Sequence, residues 1–311
     1  MKPGKRELTL AGAIVALGLL PLFGVPGFYS AGNLRNLALD NLPMLIAALG
    51  MTVVILVAEI DISIGSLFAV CGAVAGLTAK AGFPMPLVVV ATVAAGAALG
   101  AVNGQLVTRA RVPSIIATLA MLAILRNAII YATGGAWIQD LPRDFQWFGL
   151  GQAAAQPAYL AAGGMLFVSG AWALRQTSAG RMFYAVGCDH EAARRVGFNP
   201  PGVVRAAFIL MGALTAVAAI FSFTRYPTIE TSAGQGFELQ VIAAVVVGGT
   251  AITGGRGGAV GTLLGVILLG MIGTVFTFLH VNPAWSKAIQ GAIILLAVVS
   301  DTAVGKRTVH V

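Results

Sequence analysis

Of the chain's 311 residues, 58% are hydrophobic and only 10% are charged, and the mean hydropathy is +0.90. Soluble domains carry about a quarter charged residues, so this chain cannot cover itself with a water-facing surface and reads as one all-α domain, 1–311, a polytopic bundle of membrane-spanning helices. The net charge of +8 does not point to nucleic acid, because the basic residues stand singly between apolar runs and form no stripe.

At the start, Lys2, Lys5 and Arg6 precede an apolar run over 8–24, the outline of a secretory signal. Nine comparable runs follow, so it is read as an uncleaved first span with the N-terminus in the cytoplasm. Crossing the hydrocarbon core takes about 20 apolar residues as a helix. The runs 42–58, 62–79, 87–108, 114–133, 157–174, 205–223, 239–254, 258–279 and 285–301 bring the expected total to about ten spans. The 40 glycines would weaken helices in water, but in lipid small residues let helix backbones pack closely.

The second and third runs almost merge around Glu59-Ile60-Asp61-Ile62-Ser63-Ile64-Gly65, and the eighth and ninth around Thr253-Gly254-Gly255-Arg256-Gly257-Gly258. Such joints point to helices broken or re-entrant at membrane depth, and their similarity to an internal repeat of the kind found around translocation paths. Two ordinary tight turns are the alternative reading. With ten spans and a cytoplasmic N-terminus, thirteen of the 19 basic residues fall on the cytoplasmic side. Arg35, Lys80, Arg126, Arg143, Arg225 and Lys287 are left for the outside or for membrane depth, an asymmetry that puts both termini in the cytoplasm of an inner-membrane protein.

The polar segment 175–205 cannot enter the bilayer. Within it Asp189 is placed to cap a short helix starting near His190, with Glu191 in the first turn, Arg194 and Arg195 later, and Gly197 where a left-handed cap belongs. Such an element is a docking helix or a surface brace for the bundle. Its Glu191-Ala192-Ala193 followed by Gly197 resembles the E-A-A-x-x-x-G pattern of ABC importer permeases. Three further stretches fit the ribose-type (carbohydrate uptake class 2) branch. Glu59 to Ser66 is similar to G-I-D-L-S-V-G-S, Gly180-Arg181 through Gly187 to G-R-x-x-x-A-x-G, and Gly248-Gly249-Thr250 through Gly257 to G-G-T-x-x-x-G-G-x-G. Glu59 departs from the family's Gly and adds a second carboxylate beside Asp61.

The resemblance implies that 175–204 is the coupling loop for separate ABC ATPase subunits, with Gly187, Asp189, Glu191, Ala192, Ala193, Arg194 and Gly197 as its coupling residues. It also implies a second permease subunit, identical or different, and a periplasmic sugar-binding protein. Asp61, Ser63, Gly65, Ser66, Asn103, Gly254 and Gly255 are the expected translocation-path residues, with Thr52, Ser114 and Asn127 among other small polar candidates for its lining. Asp61 and Glu59 are either carboxylates at membrane depth, where charge is costly and functional, or helix-end charges at the interface.

The external stretch 134–144 is similar to permeases for rhamnose and for the furanosyl autoinducer. Trp137 and Trp147 are read as an interfacial aromatic belt, the alternative being contact with sugar or binding protein through Gln139, Asp140, Arg143 and Asp144. Arg225, Glu230 and Glu238, in the other long external loop, are candidates for salt bridges to a docked binding protein or are simply solvated. Cys71 and Cys188 form no disulfide framework, and His190, His280 and His310 show no metal spacing. No phosphate loop and no nucleophile motif is present. The expectation is therefore a non-enzymatic permease subunit without cofactor, importing a neutral sugar. A secondary transporter or channel for a small neutral solute, and an ABC permease for hydrophobic amino acids, are the other readings.

Overall fold

The computed structural model describes residues 27–279 throughout, with residues 12, 14–16, 19, 285, 288, 291 and 292 on either side. The expected spans 8–24 and 285–301 therefore lie almost entirely outside the described residues, as do both termini. The described part is helical: α1 (Ala31–Leu56), α2 (Ile64–Lys80), α3 (Met85–Thr108), α4 (Ser114–Thr133), α5 (Gln152–Gln176), α6 (Ser178–Cys188), α7 (His190–Arg195), α8 (Pro200–Phe223), α9 (Phe237–Val247) and α10 (Ala259–Phe278). Among the described residues no strand forms, and the backbones of Ile138 and Ile229 pair in an isolated antiparallel bridge.

Six of these helices, α1, α3, α4, α5, α8 and α10, are long and apolar enough to cross a membrane. The expected spans 62–79 and 239–254 are realised as the shorter apolar helices α2 and α9. Of the ten expected spans, the eight that fall among the described residues are thus six long helices and two shorter apolar ones. α1 runs through the centre, buried along most of its length from Leu39 to Leu56. By contrast α3, α4 and α5 keep apolar side chains such as Val90, Ile116, Ile124, Met165 and Val168 exposed. Such a face suits lipid, which is as apolar as the side chains themselves. Along the α3–α8 seam, Gly96 and Gly100 meet the backbone of Gly212 and Phe208 with no room for a Cβ. Small residues are what allow this approach.

The bundle has two ends. One carries α6, α7 and the turns joining α3 to α4 and α9 to α10; the opposite end carries the loops 134–151 and 224–236. α9 has 11 residues, hence about 16 Å of helix, roughly half of a ~30 Å hydrocarbon core. The chain before it must therefore enter the bundle as irregular backbone. It does so along α2: Ile229 lies against Gly76, and Gly234 against Gly65, positions separated on α2 by about 16 Å of helix. α2 and α9 consequently begin side by side, with the rings of Phe68 and Phe237 4.8 Å apart. The segment 224–236, which reads as an ordinary external loop, is re-entrant. Non-helical backbone at such depth is tolerated because protein encloses it.

Candidate functional site

The short capped helix forms as the sequence predicts, over His190–Arg195. Asp189 accepts hydrogen bonds from the backbone N–H groups of Glu191 (2.8 Å) and Ala192 (3.0 Å). These two bonds hold its carboxyl below the usual carboxylate range. Arg195 pairs with Glu191 at 3.6 Å, and Gly197 closes the helix in the left-handed region at φ 91°. Glu191 and Arg194 are exposed, whereas Ala193 is buried against the bundle. The helix thus presents a charged face outward and one small residue inward.

Behind this helix three segments meet. Gly187, at the corner between α6 and α7, approaches the carbonyl of Leu56 and the amide of Gly255 so closely that a Cβ would overlap the Leu56 carbonyl. The Gly255 N–H donates to that same Leu56 carbonyl at 2.9 Å, and the Tyr184 hydroxyl donates to Gly257 at 3.1 Å. Gly254 packs against Gly187 and Ala58. Gly187, expected in the coupling loop, and the expected path residues Gly254 and Gly255 therefore belong to one contact. That contact ties the α6–α7 corner to both helix breaks, 57–63 and 248–258. Thr52 and Thr262, one turn or so into α1 and α10, are joined by a 2.7 Å hydrogen bond.

Asp61, Ser63 and Asn103 form a second cluster, fully buried between the α1–α2 break and α3. One carboxylate oxygen of Asp61 accepts from the Ser63 N–H (2.9 Å) and hydroxyl (2.6 Å). Its other oxygen accepts from the Asn103 amide at 3.3 Å, and the same amide donates to the Ser63 hydroxyl oxygen at 2.8 Å. Ser66 donates to the Ser63 carbonyl. On the other side of the break, Ser114 and Thr118 accept from the N–H groups of Ile60 and Ile62. Asp61, Ser66, Ser114 and Thr118 bond the backbone of residues 60–63 directly, and Asn103 braces it through the side chains of Asp61 and Ser63. Asn127 instead stands exposed on the outer side of α4, bonded to the Ala123 carbonyl of its own helix.

At the opposite end a cavity of about 620 Å³ opens between α1, α9 and the re-entrant segment. Its walls carry Asp40, Asn41, Phe68, Trp137, Tyr226, Glu230, Gln235 and Gln240, and none of the seven expected path residues lines it. Gly65 reaches its rim only from behind, against Gly234 and Glu238. Trp137 is 54% exposed at the cavity. Trp147 is not part of an aromatic belt: it is only 7% exposed, its backbone N–H donates to the Thr224 carbonyl at 2.7 Å, and its ring meets Tyr159 edge-on.

Two cations from the same end are internal. Arg225 grips Asp40 at 2.6 Å and the Leu39 carbonyl at 3.0 Å, bracing the re-entrant segment against α1. Arg126, within α4, donates to the carbonyls of Ala233 (2.8 Å) and Thr231 (3.4 Å). Glu238 caps the Gly236 N–H at 3.2 Å. The one sequence signal for Arg126 is its place inside an apolar run, where a charge is expensive and needs a partner. Among the described residues no group of acidic, histidine or cysteine side chains is arranged to hold a metal.

A family model described as branched-chain amino acid transport system / permease component matches residues 33–298. The chain is similar to the ribose import permease protein RbsC of Escherichia coli (strain K12), 37% identical over 283 residues that cover 89% of this chain and 87% of the relative. It is likewise similar to the autoinducer 2 import system permease protein LsrC of Escherichia coli (strain K12 / DH10B), 33% identical with 95% of this chain and 86% of the relative covered. The LsrC of Shigella flexneri matches at the same identity and coverage. No solved structure matches. With a family model over most of its length and relatives above 30% identity, the chain belongs to the branched-chain amino acid transport system / permease component family of multi-pass membrane permeases.

Proposed function

We propose that the chain is the membrane-spanning permease subunit of a binding-protein-dependent ABC importer, moving a neutral sugar across the bacterial inner membrane with ATP hydrolysed by separate subunits. The α6–α7 end faces the cytoplasm and receives the ATPases on α7; the cavity end faces the periplasm and receives the binding protein; a second permease subunit completes the path. The carrying observation is the packing of Gly187 on Leu56 and Gly255. Force applied to α7 passes through that corner to the lower ends of α1 and α9 together, because both breaks share it.

A sugar is favoured over a hydrophobic amino acid by the relatives, which import ribose and autoinducer 2. The accessible cysteine tests the orientation: Cys188 is exposed whereas Cys71 is buried. A membrane-impermeant maleimide will label Cys188 in inverted vesicles and leave it unlabelled in intact cells. Labelling from outside the cell would remove the physical route from ATPase to permease. Uptake of labelled ribose, rhamnose and leucine by a deletion strain carrying the chain with its ATPase and binding protein decides the substrate class, and leucine uptake alone would overturn the sugar reading.

A further inference from the structure

The cavity at the periplasmic end has a composition that narrow passage alone does not require. Trp137 and Tyr226 line it while 54% and 49% exposed. Asn41, Gln235 and Gln240 stand on its walls, and among the described residues the side-chain amides of Gln235 and Gln240 make no hydrogen bond. Its lining contains no Lys, Arg or His. Arg225, next to the lining residue Tyr226, is spent on Asp40 and the Leu39 carbonyl, which offsets the Asp40 charge.

Resting on the sugar-import reading, we infer that this cavity is a recognition site within the permease itself for the ring of an uncharged sugar. The flat C–H face of the ring lies on Trp137 and Tyr226, which offer broad apolar area with little rotamer entropy to lose. The free amides of Gln235 and Gln240, each with an acceptor oxygen and two N–H donors, suit hydroxyls that both give and accept. A zwitterionic amino acid fits less well, because Glu230 can meet its ammonium but its carboxylate finds no cation in the lining. Selectivity is thereby applied a second time after release from the binding protein.

Saturation-transfer NMR on the full chain in lipid nanodiscs, without binding protein or ATPases, tests this with D-ribose, L-rhamnose and L-leucine as probes. The sugar taken up by intact cells receives saturation on its ring protons and leucine receives none. Trp137→Ala weakens the sugar's binding about five- to tenfold, the worth of one aromatic stack, and Gln240→Ala weakens it comparably. Trp137→Phe retains most of it, and Trp172→Ala, on the exposed face of α5, leaves it unchanged. If the transported sugar shows no transfer, or if Trp137→Ala and Trp172→Ala bind it equally, the site is refuted while the sugar-import reading stands. If cells take up leucine and no sugar, the functional reading itself fails.

Discussion

Arg126 reaches across 107 residues of sequence to donate a 2.8 Å hydrogen bond to the carbonyl of Ala233. It thereby supplies the re-entrant segment with the donors that water would supply to an ordinary loop. A charged donor to a carbonyl contributes about 1.5–3 kcal/mol, so its removal shifts the seating of 231–233 by roughly tenfold or more. Arg126→Ala is expected to lower uptake by at least that factor with the protein still in the membrane. Arg126→Lys, with one compact ammonium in place of the planar fork, should fall between. Uptake normalised to membrane-inserted protein checks both, and equal rates for Ala and wild type would show that the carbonyls find other donors.

Asp61 raises a different question, because its partners Ser63 and Asn103 are as buried as it is. Asp61→Ala strands the Ser63 N–H and hydroxyl and leaves the Asn103 amide with only its bond to Ser63, each unmet buried group costing about 1–3 kcal/mol. Asp61→Asn keeps an oxygen where Oδ1 stands and puts an NH2 in place of Oδ2, to which Asn103 can turn its unpartnered Oδ1. We expect the Ala variant to lose monodispersity in detergent and to denature at a clearly lower temperature, and the Asn variant to retain most of the parent's stability. Thermal denaturation followed by size-exclusion chromatography reads both. A large loss of transport in a stable Asn variant would instead mark the charge, rather than the bonding pattern, as what matters.

The sequence made the two ends of α7 legible because its signals are local: a carboxylate at the cap, glycine at the left-handed close, and arginines late in the turn between them. The break at 57–63 was legible for a similar reason, since Asp61 and Ser63 interrupt an otherwise apolar run. What the sequence hid was where these pieces meet. Nothing local in Gly187 announces that Leu56 and Gly255 fill the place of its side chain. The re-entrant segment was hidden for the opposite reason. Residues 224–236 are polar enough to pass for solvated loop, and only the shortness of α9 and the distant donors Arg126 and Arg225 reveal that they are enclosed.

The Asp189 cap gives α7 a pH dependence of known sign. Its folded carboxyl titrates lower than in the unfolded helix because the Ala192 and Glu191 N–H groups bond the charged form. Its contribution is therefore complete above the ordinary carboxylate value of 3.8 and is lost only as pH falls through the depressed one. Between pH 5 and pH 8 the cap should be invariant, so a change in coupling over that range does not come from Asp189. In proteoliposomes with both partners, Asp189→Ala should raise the ATP hydrolysed per sugar imported at every pH in this window, and Asp189→Asn, which keeps a neutral acceptor, should raise it less. A ratio in Asp189→Ala that returns to the parent's at pH 8 would contradict the assignment.

Gly187 offers the most direct test of how force crosses the protein. A Cβ at this position has no space, since the obstacle is the backbone carbonyl of Leu56 rather than the end of a flexible side chain. Gly187→Ala must therefore push the α6–α7 corner away from the α1 and α9 breaks and weaken the Gly255 to Leu56 hydrogen bond beside it. ATP hydrolysis by docked ATPases should persist, because α7 and its outward charges are untouched, while uptake falls by an order of magnitude or more. Gly164→Ala, on α5 where nothing lies within 4 Å of the added atom, is the matched control and should transport as the parent does. If Gly187→Ala keeps hydrolysis and uptake in the parental ratio, the shared contact of the two breaks is a packing feature, and motion must reach them by another element.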